Sequence, residues 1–241
     1  MNKISIIVPC AGDGIRFKDR YSVPKPLVEV CGKKLIQWSV DSLGIDGNLI
    51  FIAQRAHDVE FGIENELKTL YPDSTVILLD EKTDGAARTV LMAKDLVNDD
   101  TPCLVANCDQ YIEYDAKHFL YCCGLDGGQH GILTFKNNDP KWSYVKLDGW
   151  GWYVWEVVEK QVVSNQATVG VYYFQRGADM VWAAEEMIRK NIRHNNEFYF
   201  APCYNQLIER GDWVIPYGRI DKMRGLGTID DVDSFVKEFG S

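Results

Sequence analysis

Two cationic side chains stand close to a glycine-rich turn near the amino terminus. The turn consists of Ala11, Gly12, Asp13 and Gly14. Arg16 lies two residues beyond it, and Lys25 follows nine residues later between two prolines. Glycines let backbone N–H groups approach an anion closely, and the arginine and lysine add a planar fork and a point charge. The pattern predicts a nucleoside triphosphate site in which these cations neutralise developing charge.

Two familiar nucleotide-binding motifs are excluded at this turn. A dinucleotide fingerprint would need a third glycine where Phe17 stands. The phosphate loop of kinases would need Gly-Lys followed by Ser or Thr, and the sequence does not have it here. The competing interpretation is an ordinary turn after a strand, with a solvated lysine between prolines.

A second chemical signal follows the apolar run at 104–106. The next residues are Asn107, Cys108, Asp109 and Gln110. Mg²⁺ prefers one or two carboxylates together with phosphate oxygens and water, so Asp109 alone could bind a metal-loaded triphosphate. Asn107 and Gln110 could orient that carboxylate. The competing interpretation is that Asp109 caps a helix or a turn.

The glycine-rich turn with Arg16 and Phe17, followed by the Pro-Lys-Pro-Leu segment, resembles the signature of the nucleotidyltransferases, the pyrophosphorylases that make nucleotide sugars and related activated phosphates. The matching residues are Gly12 to Phe17 and Pro24 to Leu27, and the resemblance extends over about residues 3 to 239. It is closest to a bacterial subgroup linked to capsule and surface-polysaccharide pathways, some of whose members look like cytidylyltransferases.

The resemblance implies a reaction and roles for the first site residues. An acceptor phosphate oxygen would attack the α-phosphorus of a Mg²⁺-bound nucleoside triphosphate in line, releasing pyrophosphate without a covalent enzyme intermediate. Arg16, Lys25 and Lys160 would be catalytic, and Asp109 would bind the metal. Gly85 and Ala86 would contact the base, with Ala11 and Gly12 opposite. For Gly85 and Ala86 the alternative is a plain helix start capped by Asp84.

The acceptor side is assigned by the same resemblance. Lys160 would bind the acceptor phosphate next to Glu159, although a surface ion pair is the alternative. Strand alternation places Lys160 and Glu159 on opposite faces. Gly170 would leave room for the substrate, and Glu197 and Tyr199 belong to a segment that would close the acceptor pocket.

One position departs from the family pattern. Gly225 stands where sugar pyrophosphorylases usually carry a second metal-binding aspartate. Thr228 and Asp231 look instead like a capping pair that begins the final helix. Asp221 or Asp230 could replace the missing carboxylate only if the loop bends suitably.

The sequence leaves the substrates and two other functions open. The small turn and the subgroup favour CTP ahead of UTP and dTTP, and the acceptor would be a sugar phosphate or another small phosphorylated metabolite. A glycosyltransferase of similar architecture is one alternative, although such enzymes typically show Asp-x-Asp where this chain has Asn107-Cys108-Asp109. A catalytically silent nucleotide-binding regulator is another, suggested by Gly225.

Composition limits the partners. The chain has 241 residues, 46% of them hydrophobic, which suits one α/β domain with a substantial core. A net charge of -9 argues against binding to nucleic acid or an anionic membrane. With no run of 18 apolar residues and no signal-peptide pattern, the protein is expected in the cytoplasm. Seven cysteines without Cys-x-x-Cys spacing argue against disulfides or zinc.

The elements that must position these residues alternate along the chain. Apolar runs predict strands at 4–8, 49–53, 76–79, 103–106 and 131–135, and spacings of three and four predict helices at 35–43, 61–70 and 90–97. This indicates a single-domain, Rossmann-like (GT-A-like) α/β fold with a mostly parallel mixed sheet flanked by helices. A β-hairpin is expected within 142–158, and its aromatic edge could form a homodimer. Residues 1–135 would bind the nucleotide and 136–241 the acceptor.

Overall fold

The computed structural model describes residues 3–14, 17, 19–124 and 128–240. The strands, in chain order, are β1 (Ile4–Pro9), β2 (Glu29–Val30), β3 (Lys33–Lys34), β4 (Gly47–Gln54), β5 (Thr75–Leu79), β6 (Cys103–Ala106), β7 (Gln110–Tyr114), β8 (His130–Lys136), β9 (Tyr144–Leu147), β10 (Val154–Val158), β11 (Gln166–Phe174), β12 (Val214–Tyr217) and β13 (Ile220–Gly225). The helices are α1 (Leu35–Asp41), α2 (Arg55–Phe61), α3 (Ile63–Leu70), α4 (Ala86–Leu91), α5 (Lys94–Val97), α6 (Ala116–Gly124), α7 (Gly177–Arg189), α8 (Tyr204–Arg210) and α9 (Ile229–Phe239).

A mixed sheet forms the centre of the fold. Its strands run in the order β10, β9, β11, β6, β1, β4, β5, and β8 joins β11 to β12. The contacts among β6, β1, β4 and β5 are parallel, whereas β11 runs antiparallel to β6, β8 and β9. Apolar residues cover both faces of the sheet. The predicted single-domain α/β fold is therefore confirmed.

Most predicted elements are present with small shifts of their ends. The helix predicted at 90–97 is instead divided into α4 and α5. Met92 and Ala93 donate backbone hydrogen bonds to Thr89 and Val90, three residues back, and this tighter turn ends α4. The hairpin is formed by β9 and β10, which pair antiparallel at the edge of the main sheet.

The two halves of the chain are interleaved. The carboxyl-terminal strand β13 pairs antiparallel with β7, and a separate apolar cluster packs α9 against the amino-terminal segment. In that cluster Phe235 stacks on Phe239, with ring centroids 4.3 Å apart, and contacts the edge of Trp38. The division at residue 135 stays a prediction, but residues from beyond it reach the predicted nucleotide side.

The surface bears on two further expectations. Trp150, Trp152 and Trp155 of the hairpin region are exposed, and the homodimer stays a prediction. Within the described ranges, the helices are all too short or too polar to span a lipid bilayer.

Candidate active site

The glycine-rich turn is held in place at the carboxyl end of β1 by the neighbouring strands. Gln54, the last residue of β4, donates from Nε2 to the carbonyl oxygen of Ala11 (2.6 Å) and to Asp13 Oδ1 (3.0 Å). Lys82 Nζ donates to Asp13 Oδ2 at 2.6 Å. Gly14 has a φ of 58°, and a Cβ there would lie 3.3 Å from Lys25 Cβ. These contacts connect the turn to β4 and to the segment that follows β5.

The predicted phosphate-binding lysine and the predicted metal ligand contact each other. Lys25 Nζ lies 2.6 Å from Asp109 Oδ2, and the two side chains are 18% and 26% exposed. Asp109 follows β6, and its carbonyl oxygen accepts a hydrogen bond from the Leu226 backbone N–H at 2.7 Å. A metal-bound triphosphate would offer anionic oxygens to Lys25 and a cation to Asp109. Arg16 lies outside the described residues, so its role stays a prediction.

A cavity of about 390 Å³, here called the loop cavity, lies beside the glycine-rich turn. Its lining includes the predicted nucleotide residues Ala11, Gly12, Gly85, Ala86 and Asn107, together with Lys25 and Asp109. Asp13 and Gly14 do not line the cavity, and they contact Gln54 and Lys25 within the turn. Lys82, Thr83 and Thr89 also line the cavity; no motif in the sequence pointed to them.

Gly85 is required by a contact with the protein's own backbone. Its φ is 138°, and a Cβ there would lie 2.4 Å from the backbone nitrogen of Phe198. Phe198 donates to the carbonyl oxygen of Asp84 (2.9 Å), and Ala87 donates to that of Phe198 (3.0 Å). The space expected for a flat base beside Gly85 is therefore partly taken by residue 198.

Ion pairs also connect the segment around Phe198 to the turn that contains Asp84 and Gly85. Arg88 and Arg193 both pair with the Asp84 carboxylate, at 2.6 and 2.9 Å. Their guanidinium carbons lie 5.1 and 3.7 Å from the centre of the Phe198 ring. As a result Glu197, predicted on the acceptor side, lines the loop cavity instead.

A second cavity of about 310 Å³, the hairpin cavity, lies between the hairpin and the amino end of α9. Glu159, Lys160 and Tyr199, which the sequence assigned to the acceptor side, line it together, and their acceptor role stays a prediction. Lys141, Trp142, Ser143 and Asp231 complete this side. The two cavities share Lys25, Ala86, Asn107, Asp109 and Tyr199. They therefore meet at the lysine–aspartate pair.

Glu159 and Lys160 do not alternate as a strand would. β10 ends at Val158, and Lys160 has a φ of 50°, so both side chains line the same cavity; the expectation of opposite faces is wrong. Glu159 is 9% exposed and accepts a hydrogen bond from Ser143 Oγ. Burial raises the pKa of this carboxyl above its usual value. Lys160 Nζ donates to the Tyr199 hydroxyl.

Gly170 accommodates protein side chains. Its φ is 93°, and a Cβ there would lie 2.3 Å from Asn107 Nδ2 and 2.5 Å from Gln110 Oε1. The Asn107 backbone N–H donates to the Gly170 carbonyl oxygen at 2.9 Å. The space that was expected to serve the substrate thus holds the residues on both sides of Asp109.

The carboxyl-terminal segment forms the capping pair that the sequence predicted. Thr228 N–H donates to Asp231 Oδ2 (3.0 Å), and Asp231 N–H donates to Thr228 Oγ1 (3.1 Å), at the first turn of α9. Gly225 lines the hairpin cavity, whereas Asp221 and Asp230 are exposed outside both cavities.

The chemistry of the donors suits Mg²⁺ that is bound mainly through phosphate oxygens. The described part of the chain contains no group of three or more His, Cys, Asp or Glu side chains that could hold a metal. Asp109 nevertheless lines both cavities, and Gly227 leaves space beside it, since a Cβ there would lie 3.2 Å from Asp109 Oδ2. One or two carboxylates with phosphate oxygens and water are enough for this ion.

The structure is an α/β domain with two adjoining cavities at the carboxyl ends of its parallel strands, which is where open α/β sheets bind ligands. The chain belongs to the Nucleotidyl transferase family, whose sequence model matches residues 7–213.

Curated relatives agree with this membership. The chain is 28% identical over 180 residues to the mannose-1-phosphate guanylyltransferase catalytic subunit beta of Dictyostelium discoideum, covering 70% of this chain and 48% of the relative. It is 34% identical over 205 residues to the bifunctional protein GlmU of Thermotoga sp. (strain RQ2), covering 83% and 43%. The chain spans about half the length of these relatives.

Among solved structures, a nucleoside-diphosphate-sugar pyrophosphorylase from Vibrio cholerae RC9 matches with a TM-score of 0.81 and 24% identity, covering 96% of this chain and 99% of that one. An inositol-1-phosphate CTP transferase from T. maritima matches with a TM-score of 0.77 and 14% identity, covering 99% and 95%. At these identities the matches show the fold. Membership of a capsule-linked cytidylyltransferase subgroup stays a prediction.

Proposed function

We propose that this protein transfers a nucleoside monophosphate from a nucleoside triphosphate to a small phosphorylated acceptor and releases pyrophosphate. The observation that carries the proposal is the meeting of the two cavities at Lys25 and Asp109. A triphosphate in the loop cavity and a phosphate in the hairpin cavity would bring their reacting atoms together at this pair. Such positioning is a main contribution to phosphoryl and nucleotidyl transfer.

In the proposed reaction, an oxygen of the acceptor phosphate attacks the α-phosphorus, and the bond to the pyrophosphate leaving group breaks. Lys160 binds the acceptor phosphate, and Lys25 neutralises charge that develops on the transferred group. Bound Mg²⁺, held by Asp109 and phosphate oxygens, would add further charge neutralisation.

A covalent cysteine intermediate is not needed and has no chemical support at the site. Cys108 lines the loop cavity, but burial raises the pKa of its thiol to about 11. Burial likewise raises the pKa of Cys10. A thiolate is the nucleophilic form of cysteine, and neither side chain would supply it near neutral pH.

We propose CTP as the nucleotide. Lys82 and Glu197 both line the loop cavity and offer one cationic donor and one anionic acceptor. Cytosine presents an amino donor next to acceptor atoms, and carboxylates are suited to accept from that amino group. Uracil and thymine present a carbonyl oxygen where cytosine has the amino group, so a carboxylate that faces this position favours CTP over UTP and dTTP.

The proposed acceptor is a sugar phosphate or another small phosphorylated metabolite. Glu159 and Ser143 line the cavity beside Lys160 and can hydrogen-bond to polar groups carried by the acceptor. By name, the curated relatives include enzymes for mannose 1-phosphate, and one structural match concerns inositol 1-phosphate. These names support a phosphorylated polyol as the first class to test.

A pyrophosphate-release assay tests the proposal. CTP, UTP, dTTP, ATP and GTP are each combined with sugar 1-phosphates, inositol 1-phosphate, phosphocholine and phosphorylated amino acids, with and without Mg²⁺. We expect Mg²⁺-dependent release with CTP and one acceptor. Transfer from a labelled nucleotide sugar would support the glycosyltransferase alternative instead. Nucleotide binding without release from any pair would support a silent regulator.

A further inference from the structure

Two carboxylates flank an open space at the junction of the two cavities. A Cβ on Gly227 would lie 3.2 Å from Asp109 Oδ2 and 4.0 Å from Asp231 Oδ2. Any other amino acid at position 227 would put a side chain into this space. The φ of Gly227 is not in the left-handed region, so the backbone conformation does not itself require a glycine there. Because residue 227 is a glycine, the space between the two carboxylates stays open.

The Asp231 carboxylate is held in a fixed position by the first turn of α9. Its Oδ2 accepts from Thr228 N–H, and the reciprocal bond to Thr228 Oγ1 completes the cap. The helix itself is anchored by Phe235 within the aromatic cluster. An ionised carboxylate has about four acceptor positions, so the cap leaves Asp231 able to bind a cation as well.

Asp231 also takes up space next to position 225. A Cβ on Gly225 would lie 3.6 Å from Asp231 Oδ2 and 3.4 Å from the Trp142 ring. A carboxylate oxygen thus lies next to the place where a longer side chain at 225 would begin. We propose that Asp231 supplies the second carboxylate of the Mg²⁺ site, opposite Asp109 and in place of one at position 225. This inference rests on the proposed function, because the metal arrives with the triphosphate.

The charges around the two carboxylates are consistent with this role. Lys25 pairs with Asp109, and Lys141 Nζ lies 3.3 Å from Asp231 Oδ1. Each carboxylate is thus accompanied by an ammonium group. A Mg²⁺ ion held between the two carboxylates would offset their charge, and the ammonium groups of Lys25 and Lys141 would then be available to phosphate oxygens of the triphosphate.

Metal affinity, measured separately from turnover, tests the proposal. Mn²⁺ binding is followed by electron paramagnetic resonance in the presence of α,β-methylene-CTP and, as a probe without a base, of inorganic triphosphate. Asp231→Asn retains an oxygen that can accept from Thr228 N–H, so the cap is preserved. We expect Mn²⁺ affinity to fall by about 10- to 100-fold, the range typical of altered metal environments.

Asp230→Asn is the matched control. It removes the same charge from the same helical turn, but Asp230 is exposed outside both cavities. We expect its Mn²⁺ affinity to stay within about twofold of the parent, since only a screened surface charge is lost. An equal loss in both variants would overturn the proposal and indicate a general effect of charge near the helix terminus.

Two further variants keep the proposal testable if Asp231→Asn does not fold. Gly227→Ala leaves the cap intact and puts a methyl group beside Asp109 Oδ2, so Mn²⁺ affinity should fall. Gly225→Asp in the Asp231→Asn background provides a carboxylate from the neighbouring position, where no left-handed φ opposes a side chain. It should recover most of the lost affinity.

The outcomes distinguish this inference from the proposed function. If the parent releases pyrophosphate and Asp231→Asn binds Mn²⁺ as tightly as the parent, the inference is overturned and the function stands. If Asp231→Asn loses Mn²⁺ affinity while the parent releases no pyrophosphate with any pair, the inference stands and the function falls. A parent that binds no Mn²⁺ with either probe overturns the inference, whatever the turnover assay gives.

Discussion

The loop cavity and the hairpin cavity are built in different ways. The loop cavity lies at the carboxyl ends of the parallel strands β1 and β6, where the chain itself turns from apolar residues to Gly12 and Asp109. The hairpin cavity collects Trp142, Glu159 and Asp231 from segments far apart in the chain. The first site follows from strand ends, and the second depends on how distant segments pack.

Glycines near these cavities have different structural roles. Gly14 lets the glycine-rich turn adopt a left-handed backbone conformation close to Lys25. Gly85 and Gly170 instead make room for Phe198 and Asn107. A glycine near a cavity can therefore shape a turn by its own conformation, or make room for the packing of other residues.

The largest expected effect comes from the pair that joins the cavities. Lys25→Ala should lower kcat/KM for pyrophosphate release by about 10²- to 10³-fold, or ~3 to 4 kcal/mol, because a preorganised positive charge is lost in the transition state. The control is Lys33→Ala, which removes a lysine paired with Asp41 on the surface. Turnover of Lys25→Ala within a few fold of the parent would show that the junction is not where chemistry occurs.

The contact between Gly85 and Phe198 gives the next largest effect. Gly85→Ala should destabilise the fold by about 2 to 4 kcal/mol, since it adds both backbone strain and a clash with backbone atoms. This corresponds to a drop in Tm of about 4 to 16 °C in a domain of this size. Gly149→Ala is the control, because a Cβ there meets nothing within 4 Å. An unchanged Tm for Gly85→Ala would mean that the space beside Gly85 is available for the base after all.

Lys160→Ala should weaken use of the acceptor in the hairpin cavity and leave nucleotide binding in the loop cavity nearly unchanged. We expect kcat/KM for the acceptor to fall by about 10- to 100-fold, as for a lost charge-assisted hydrogen bond of ~1.5 to 3 kcal/mol. Nucleotide affinity, measured by calorimetry without acceptor, should change by less than about twofold, because Lys160 lines the hairpin cavity but not the loop cavity. A matching loss of nucleotide affinity would contradict the separation of the two cavities.

The fold and the loop cavity could be predicted because their signals are local. Apolar strands that end in glycine or aspartate located Gly12, Asn107 and Asp109 without any knowledge of packing. The break between α4 and α5 was missed, since spacings of three and four continue across Met92 and Ala93. Periodicity alone does not show where a turn tightens.

The hairpin cavity was only partly predictable. Glu159 and Lys160 were found, but the φ of 50° at Lys160 depends on the turn that follows β10, so strand alternation gave the wrong faces. Lys141 and Asp231 carry no signal for this cavity, because their places are set by the packing of distant segments. Glu197, predicted on the acceptor side, lines the loop cavity for the same reason: Phe198 is bound to Asp84 by tertiary contacts.

The smallest expected effect concerns stability, and it depends on pH. Burial raises the folded-state pKa of Glu159, so the neutral carboxyl is favoured in the fold. The stability that this provides is complete below the unfolded pKa, near pH 4, and is lost as pH rises through the folded pKa. Glu159→Gln stays neutral at every pH. Its Tm should therefore exceed that of the parent by about 2 to 4 °C at neutral pH, the effect of ~1 kcal/mol, and the difference should shrink toward pH 4.

The control for this variant is Glu156→Gln, which alters an exposed pair with Lys146. Surface pairs contribute about 0 to 1 kcal/mol, so its Tm should change little or fall slightly. A lower Tm for Glu159→Gln at every pH would mean that the ionised carboxylate stabilises the fold through Ser143 and Lys160. If the Tm rises while kcat/KM for the acceptor falls, the charge is kept at a cost in stability because it serves the acceptor. The hairpin cavity would then be a binding site formed by packing, in contrast to the loop cavity formed by strand ends.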